Sequence, residues 1–276
     1  MQAQKLMTKI GIIAGGGELP LIIAQSLHVD KVPFYIIAIN GEANSDFSNY
    51  PHSSIAIGQV GQIISTFKSE NVTEIVLAGK INRPSFASLT LDSAGVRLIG
   101  QITKAKLFGD DSVLACVIKF LESEGFIVKG AENYTTSLLA PFGCITRVKP
   151  NARDEEDIAH AIKIASAIGS LDIGQAVIVE HGLVLGVEAV EGTDQLISRC
   201  GLLKREKERA GVLVKMKKPT QDSRVDLPTI GVSTIQNIYD AGFAGVGIQA
   251  GSSFIIGKKE VVELAEKLGI FVVGVK

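Results

Sequence analysis

The densest concentration of reactive side chains lies in residues 215–231, KMKKPTQDSRVDLPTIG. Lys215, Lys217 and Lys218 precede two carboxylates, Asp222 and Asp226, with Arg224 between them and prolines at 219 and 228. Two prolines this close argue against a long helix, so the run reads as a stiff loop following a strand. Cations and carboxylates crowded on one loop suit phosphoryl chemistry. The cations offset charge on the transferring oxygens, while a carboxylate binds Mg²⁺ or orients water. Lys215, Lys218 and Arg224 are the candidates for that charge offset. The charge pattern alone leaves Asp222 and Asp226 equal. A solvated charged loop is the plain alternative; Val225 and Leu227, expected to point inward, count against it.

Three other stretches suit an anion. Gly15-Gly16-Gly17-Glu18-Leu19-Pro20 follows a strand and opens a helix, where backbone N–H groups approached through glycines can hold phosphate. It is not the dinucleotide fingerprint, because Pro20 replaces the last glycine and Asn40-Gly41 replaces the ribose-binding acid after the second strand. A tight turn with Pro20 in the first helical turn is its plain reading. Residues 79–84, GKINRP, lie just past a strand's C-terminal end, where ligands gather in open α/β sheets. There Lys80 and Arg83 suit an anion and Asn82 a hydroxyl or carbonyl, although a solvated loop accounts for them equally. Glu191-Gly192-Thr193-Asp194 joins a strand to a helix. Thr193 is either an N-cap or, with the free amides, a phosphate holder, with Asp194 near a metal. Gly109-Asp110-Asp111 offers a metal-binding pair, but it opens a helix, where capping explains one carboxylate and the macrodipole the other. His28, His52, His160 and His181 lack metal-ligand spacing, and no Gly-x-Ser-x-Gly elbow supports a serine hydrolase.

These residues need a scaffold, and the chain has material for one. Its 276 residues suggest two domains, and 46% hydrophobic with 21% charged residues is ordinary for packed globular cores. A net charge of −1 gives no broad footprint for nucleic acid. Cys116, Cys144 and Cys200 are too scattered for a disulfide framework or zinc knuckle, which points to a reduced, cytoplasmic compartment. The start of the chain lacks the pattern of a secretory signal. The long uncharged stretch 241–257 is too short and glycine-rich to span a bilayer, and reads as strand-turn-strand. The expectation is a soluble protein that a lipid-like substrate would still bring to a membrane surface.

Strands are expected at 9–14, 34–39, 54–57 and 74–78, with helices at 20–28, 62–69 and 111–123. That alternation predicts an N-terminal Rossmann-like α/β domain over 1–134, built on a doubly wound parallel sheet. Pro141, Gly143 and Pro150 make 135–150 the candidate linker. A second α/β domain, 151–276, follows with a helix at 153–169, strands at 175–179 and 183–190, and a helix at 193–200. A strand at 211–216, the charged loop 217–228, a helix at 233–241 and further alternation complete it.

Ile13-Ala14-Gly15-Gly16-Gly17-Glu18-Leu19-Pro20, the 79–84 loop, Leu171-Asp172-Ile173-Gly174-Gln175, Val187-Glu188-Ala189 with Glu191-Gly192-Thr193-Asp194, and Arg224-Val225-Asp226-Leu227-Pro228-Thr229-Ile230-Gly231 occur in this order. Together they resemble the LpxI-type UDP-2,3-diacylglucosamine pyrophosphatases from about residue 8 onward. The resemblance implies Mg²⁺-dependent hydrolysis of UDP-2,3-diacylglucosamine to 2,3-diacylglucosamine 1-phosphate (lipid X) and UMP in lipid A biosynthesis. It implies water attack on the sugar-side phosphorus, two domains with the substrate held between them, and peripheral contact with the cytoplasmic face of the inner membrane. It also separates the two aspartates, placing the essential role on Asp226. The rivals are a non-catalytic nucleotide-sugar binding protein and a dinucleotide-dependent oxidoreductase. Acyl-chain selectivity and oligomeric state are not readable from the sequence.

Overall fold

The computed structural model describes residues 8–82, 89–104, 110–219, 224 and 227–276, apart from the side chains of 110 and 111. The chain divides into two compact units. The first runs to Thr136, and Arg224 groups with it; the second begins at Ser137.

In the first unit, β1 (Ile10–Ala14), β2 (Phe34–Ile39), β3 (His52–Ile55), β4 (Glu74–Ala78) and β5 (Ile127–Lys129) form one sheet in the order β3-β2-β1-β4-β5. Every pairing is parallel. Central β1, IGIIA, is buried at all its positions, as an apolar run should be when helices cover both faces of a parallel sheet. The helices are α1 (Leu19–Val29), α2 (Val60–Ser69), α3 (Ser93–Lys104) and α4 (Asp110–Ser123). Pro20 sits buried in the first turn of α1, where its missing N–H costs nothing. Asp92 secures two helix starts: Oδ2 accepts from the Gly61 and Gln62 amides of α2, and Oδ1 from Gly95 of α3. β3 begins two residues earlier than expected and is mostly exposed, as an edge strand can be. The order of strands reverses at β1, and in open α/β sheets ligands gather outside the C-terminal strand ends at such a switch point.

The second unit has a mixed sheet in the order β6-β13-β11-β9-β7-β8. Its centre, β9 (Val212–Lys215), β11 (Gly245–Gln249) and β13 (Phe271–Val275), is parallel. Its margins, β6 (Gly143–Cys144), β7 (Ala176–Glu180) and β8 (Leu183–Val187), run antiparallel to their neighbours. A separate parallel pair is made by β10 (Thr229–Ile230) and β12 (Phe254–Ile255). α5 (Ala152–Ser170) starts on an Asn151/Asp154 capping box and packs Ile158, Ala161 and Ala165 on Val177, Val212 and Val214. α6 (Thr193–Gly201), α7 (Val232–Asp240) and α8 (Lys258–Leu268) pack with the alternate residues Ile178, Leu213 and Val246. The period-2 alternation of each strand thereby feeds two cores. The β7–β8 turn uses His181 at φ 51° and Gly182 at φ 78°, the left-handed pair that a two-residue hairpin needs. Asp157, buried on α5, accepts both amides of that turn. Within the 135–150 stretch expected as a linker, β6 joins the sheet and Thr146 Oγ1 accepts from Val272 N at 3.0 Å.

Candidate active site

β9 reads VLVK, so a strand that is apolar along its length ends on a lysine. Lys215 is only 7% exposed, and a buried ammonium is costly without polar partners. Its Nζ donates to Thr229 O at 3.0 Å, which ties the end of β9 to β10. The charged loop is then pinned at both ends. At its start, Lys217 N donates to Gln249 Oε1 of β11 at 2.8 Å, and Lys218 Nζ pairs with Asp172 Oδ1 at 2.7 Å. At its exit, Phe254 N donates to Pro228 O, and Leu227 is buried as its apolar character required. Arg224 pairs with Glu122 of α4 at 2.7 Å. Asp222, Val225 and Asp226 lie outside the described residues.

Antiparallel β7 starts at the edge where parallel β9 ends, because Ala176 stands opposite Lys215. Glu188, 6% exposed, organises that edge. Its Oε2 accepts from Gln175 N at 3.0 Å and its Oε1 from the Thr193 hydroxyl at 2.6 Å. Thr193 is the first residue of α6 and not its N-cap, which is Gly192 at φ 79°. Its hydroxyl proton points to Glu188, so an anion at this helix start would meet the backbone amides. Asp194 is exposed and its Oδ1 accepts from Asn237 Nδ2 at 2.9 Å. Hydrogen bonds from its own backbone amide and from Arg199 hold the Glu191 carboxyl below the usual carboxylate range. Glu188, Gln175 and Asp172 had no role in the residue-by-residue reading. The available signal was a carboxylate closing an apolar strand at Val187-Glu188.

In the first unit, the two glycine stretches form one braced feature. Gly15 N donates to Ala78 O at 2.8 Å, Gly16 N to Lys80 O at 2.8 Å, and Lys80 N to Gly16 O at 2.9 Å. A Cβ on Gly15 would lie 2.5 Å from Lys80 O, and one on Gly79 would lie 2.6 Å from Gly16 O. The glycines therefore allow two loops to touch, a sufficient reason for their absence of side chains. Gly17 N donates to Asn44 Oδ1 at 2.8 Å. Any phosphate at Gly15, Gly16 or Gly17 would thus meet amides that already donate. Asn82 gives both its backbone and side-chain amides to Glu42 Oε2 at 3.0 Å, and the Lys80 side chain is exposed beside it. Arg83 lies outside the described residues.

Among the described residues, no group of at least three His, Cys, Asp and Glu side chains could hold a metal. Mg²⁺ is commonly held by one or two carboxylates together with substrate phosphates, so a dense cluster is not required of its site. Of the expected pair Asp226 and Asp194, Asp194 is the one among the described residues, and it belongs to no such group there. No helix among the described residues is long and apolar enough to cross a membrane.

Residues 9–138 match the LpxI N-terminal domain and residues 141–273 the LpxI C-terminal domain. The chain belongs to the LpxI family. A UDP-2,3-diacylglucosamine pyrophosphatase LpxI from Caulobacter vibrioides is 38% identical over 274 residues, covering 98% of each chain. The LpxI family domains meet between residues 138 and 141, close to the division of the two units after Thr136.

Proposed function

We propose that this LpxI-family chain is an enzyme that hydrolyses the pyrophosphate of UDP-2,3-diacylglucosamine, giving lipid X and UMP in lipid A biosynthesis. The observation that carries the reading is the end-to-end similarity to a pyrophosphatase of that name, 38% identical over 98% of both chains. A water oxygen bonds to the sugar-side phosphorus, the bond from that phosphorus to the bridging oxygen breaks, and UMP departs with the bridging oxygen. Asp226 takes or orients the water proton or binds Mg²⁺. Lys215, Lys218 and Arg224 offset the charge that gathers on the departing phosphate. Mg²⁺, when bound, would neutralise pyrophosphate oxygens, with Asp226 and Asp194 as its protein ligands. The described residues do not by themselves compose that site.

The same reading has the substrate engaged by both units: Lys80, Asn82 and Arg83 from the first, Thr193 and Lys218 from the second. We read the first unit as Rossmann-like on its all-parallel strand order and its reversal at β1. The location is cytoplasmic, with peripheral contact at the inner membrane through the lipid substrate. A dinucleotide-dependent oxidoreductase is disfavoured because Gly15 and Gly16 already donate to Ala78 and Lys80 carbonyls. A non-catalytic nucleotide-sugar binder would need no turnover at all. Metal-stripped protein in EDTA is expected to lose UMP release and to regain it with added Mg²⁺. Full UMP release in excess EDTA would remove Mg²⁺ from the scheme.

A further inference from the structure

α5 ends in a complete Schellman motif. Ile173 N donates to Ile168 O at 3.0 Å and Asp172 N to Gly169 O at 3.1 Å. The left-handed residue such a cap requires is Asp172, at φ 55°, where glycine is the conformationally cheapest choice. A non-glycine residue kept in this region calls for a compensating contact. One is present: the Asp172 carboxylate holds Lys218 Nζ at 2.7 Å, with Lys218 only 13% exposed. A second feature of the same helix end points the same way. A Cβ on Gly169 would lie 3.2 Å from Pro219 Cδ and 3.3 Å from Lys218 Cα, so the last turn of α5 lies directly against the start of the charged loop. A cation beside a helix C-terminus is also favoured by the macrodipole.

We propose that Asp172 is a positioning residue: it aims Lys218, and with it the first residues of the charged loop, for work on the substrate's pyrophosphate. The part that concerns substrate rests on the function proposed above; the part that concerns the loop does not. Asp172 acts through Lys218 and touches no reacting atom.

Asp172→Gly separates this role from a structural one, because glycine relieves the left-handed backbone while removing the ion pair to Lys218. The expected protein has a melting temperature equal to or above that of the wild type. Hydrogen exchange at the Lys217 amide, which donates to Gln249, is expected to be at least ten-fold faster, with β9 unchanged. Its kcat/KM on UDP-2,3-diacylglucosamine falls about ten-fold, mostly in kcat, since the charge Lys218 offsets grows in the transition state. Asp172→Asn tolerates the left-handed region and keeps an oxygen for Lys218, so it restores exchange protection and most of the activity. Wild-type exchange and kcat/KM in Asp172→Gly would overturn the proposal. So would a lowered melting temperature with no rescue by Asp172→Asn. Faster exchange in Asp172→Gly from a wild type that does not hydrolyse this substrate would uphold the anchoring and overturn the substrate reading alone.

Discussion

Asp226→Ala is expected to fold like the wild type, to bind the UDP-sugar, and to turn it over about a hundred- to a thousand-fold more slowly, the loss typical of one preorganised catalytic group. Its neighbours make the expectation specific. The loop that carries it is pinned through Lys217 and Lys218 at one end and Pro228 at the other. Lys215, buried at the C-terminal end of β9, donates to the Thr229 carbonyl only three residues beyond Asp226. Removing one carboxylate deletes a charge and leaves the contacts at Lys217, Lys218 and Pro228 in place, so the loss should fall on kcat. Turnover within a few-fold of wild type, measured as UMP release at saturating substrate, would sink the assignment. Loss of substrate binding without a drop in kcat would make Asp226 a binding residue instead.

Gly174→Ala is expected to destabilise the second unit by about 3 kcal/mol, as an overpacked and immovable contact does. An alanine Cβ there would fall 2.1 Å from the Glu188 carbonyl oxygen, a backbone atom that no side-chain rotation can move aside. The nearest relief is to push the strand end carrying Glu188 away from Gln175, which breaks the chain of hydrogen bonds from Gln175 to Glu188 to Thr193. Both a melting temperature several degrees lower and a sharp loss of turnover should follow. Gly100→Ala is the control: it lies in α3 with open space where a Cβ would go, so it should be neutral or slightly stabilising. Equal melting temperatures for the two variants would show that the Gly174–Glu188 approach does not support the fold.

The elements that announce themselves locally were readable from the sequence. The buried Ile-rich run of β1, the turn with Pro20 after it, and the long α5 each follow from apolar period and capping residues within a few positions. What the sequence withheld depends on distant pairings. Nothing local says that β7 and β8 run antiparallel beside a parallel centre, or that the short β10 and β12 pair apart from the main sheet. The same holds at the candidate site. Gly15-Gly16 resembles a phosphate cradle in isolation, yet its amides donate to carbonyls of Ala78 and Lys80, more than sixty residues away. Thr193 resembles an N-cap until Gly192 is found in that place and the Thr193 hydroxyl is found donating to Glu188. Asp172 passes for one more turn residue until its left-handed backbone and its bond to Lys218 are seen together. Lys215 and Lys218, by contrast, stand out by charge pattern alone, and both are largely buried.

The most direct measurement follows the oxygen. Wild-type protein is incubated with UDP-2,3-diacylglucosamine and Mg²⁺ in ¹⁸O-labelled water, and the products are weighed by mass spectrometry. Equal amounts of UMP and lipid X are expected, with one ¹⁸O in the phosphate of lipid X and none in UMP. Label in UMP would place the attack on the other phosphorus, and intact substrate after prolonged incubation would contradict the enzyme itself.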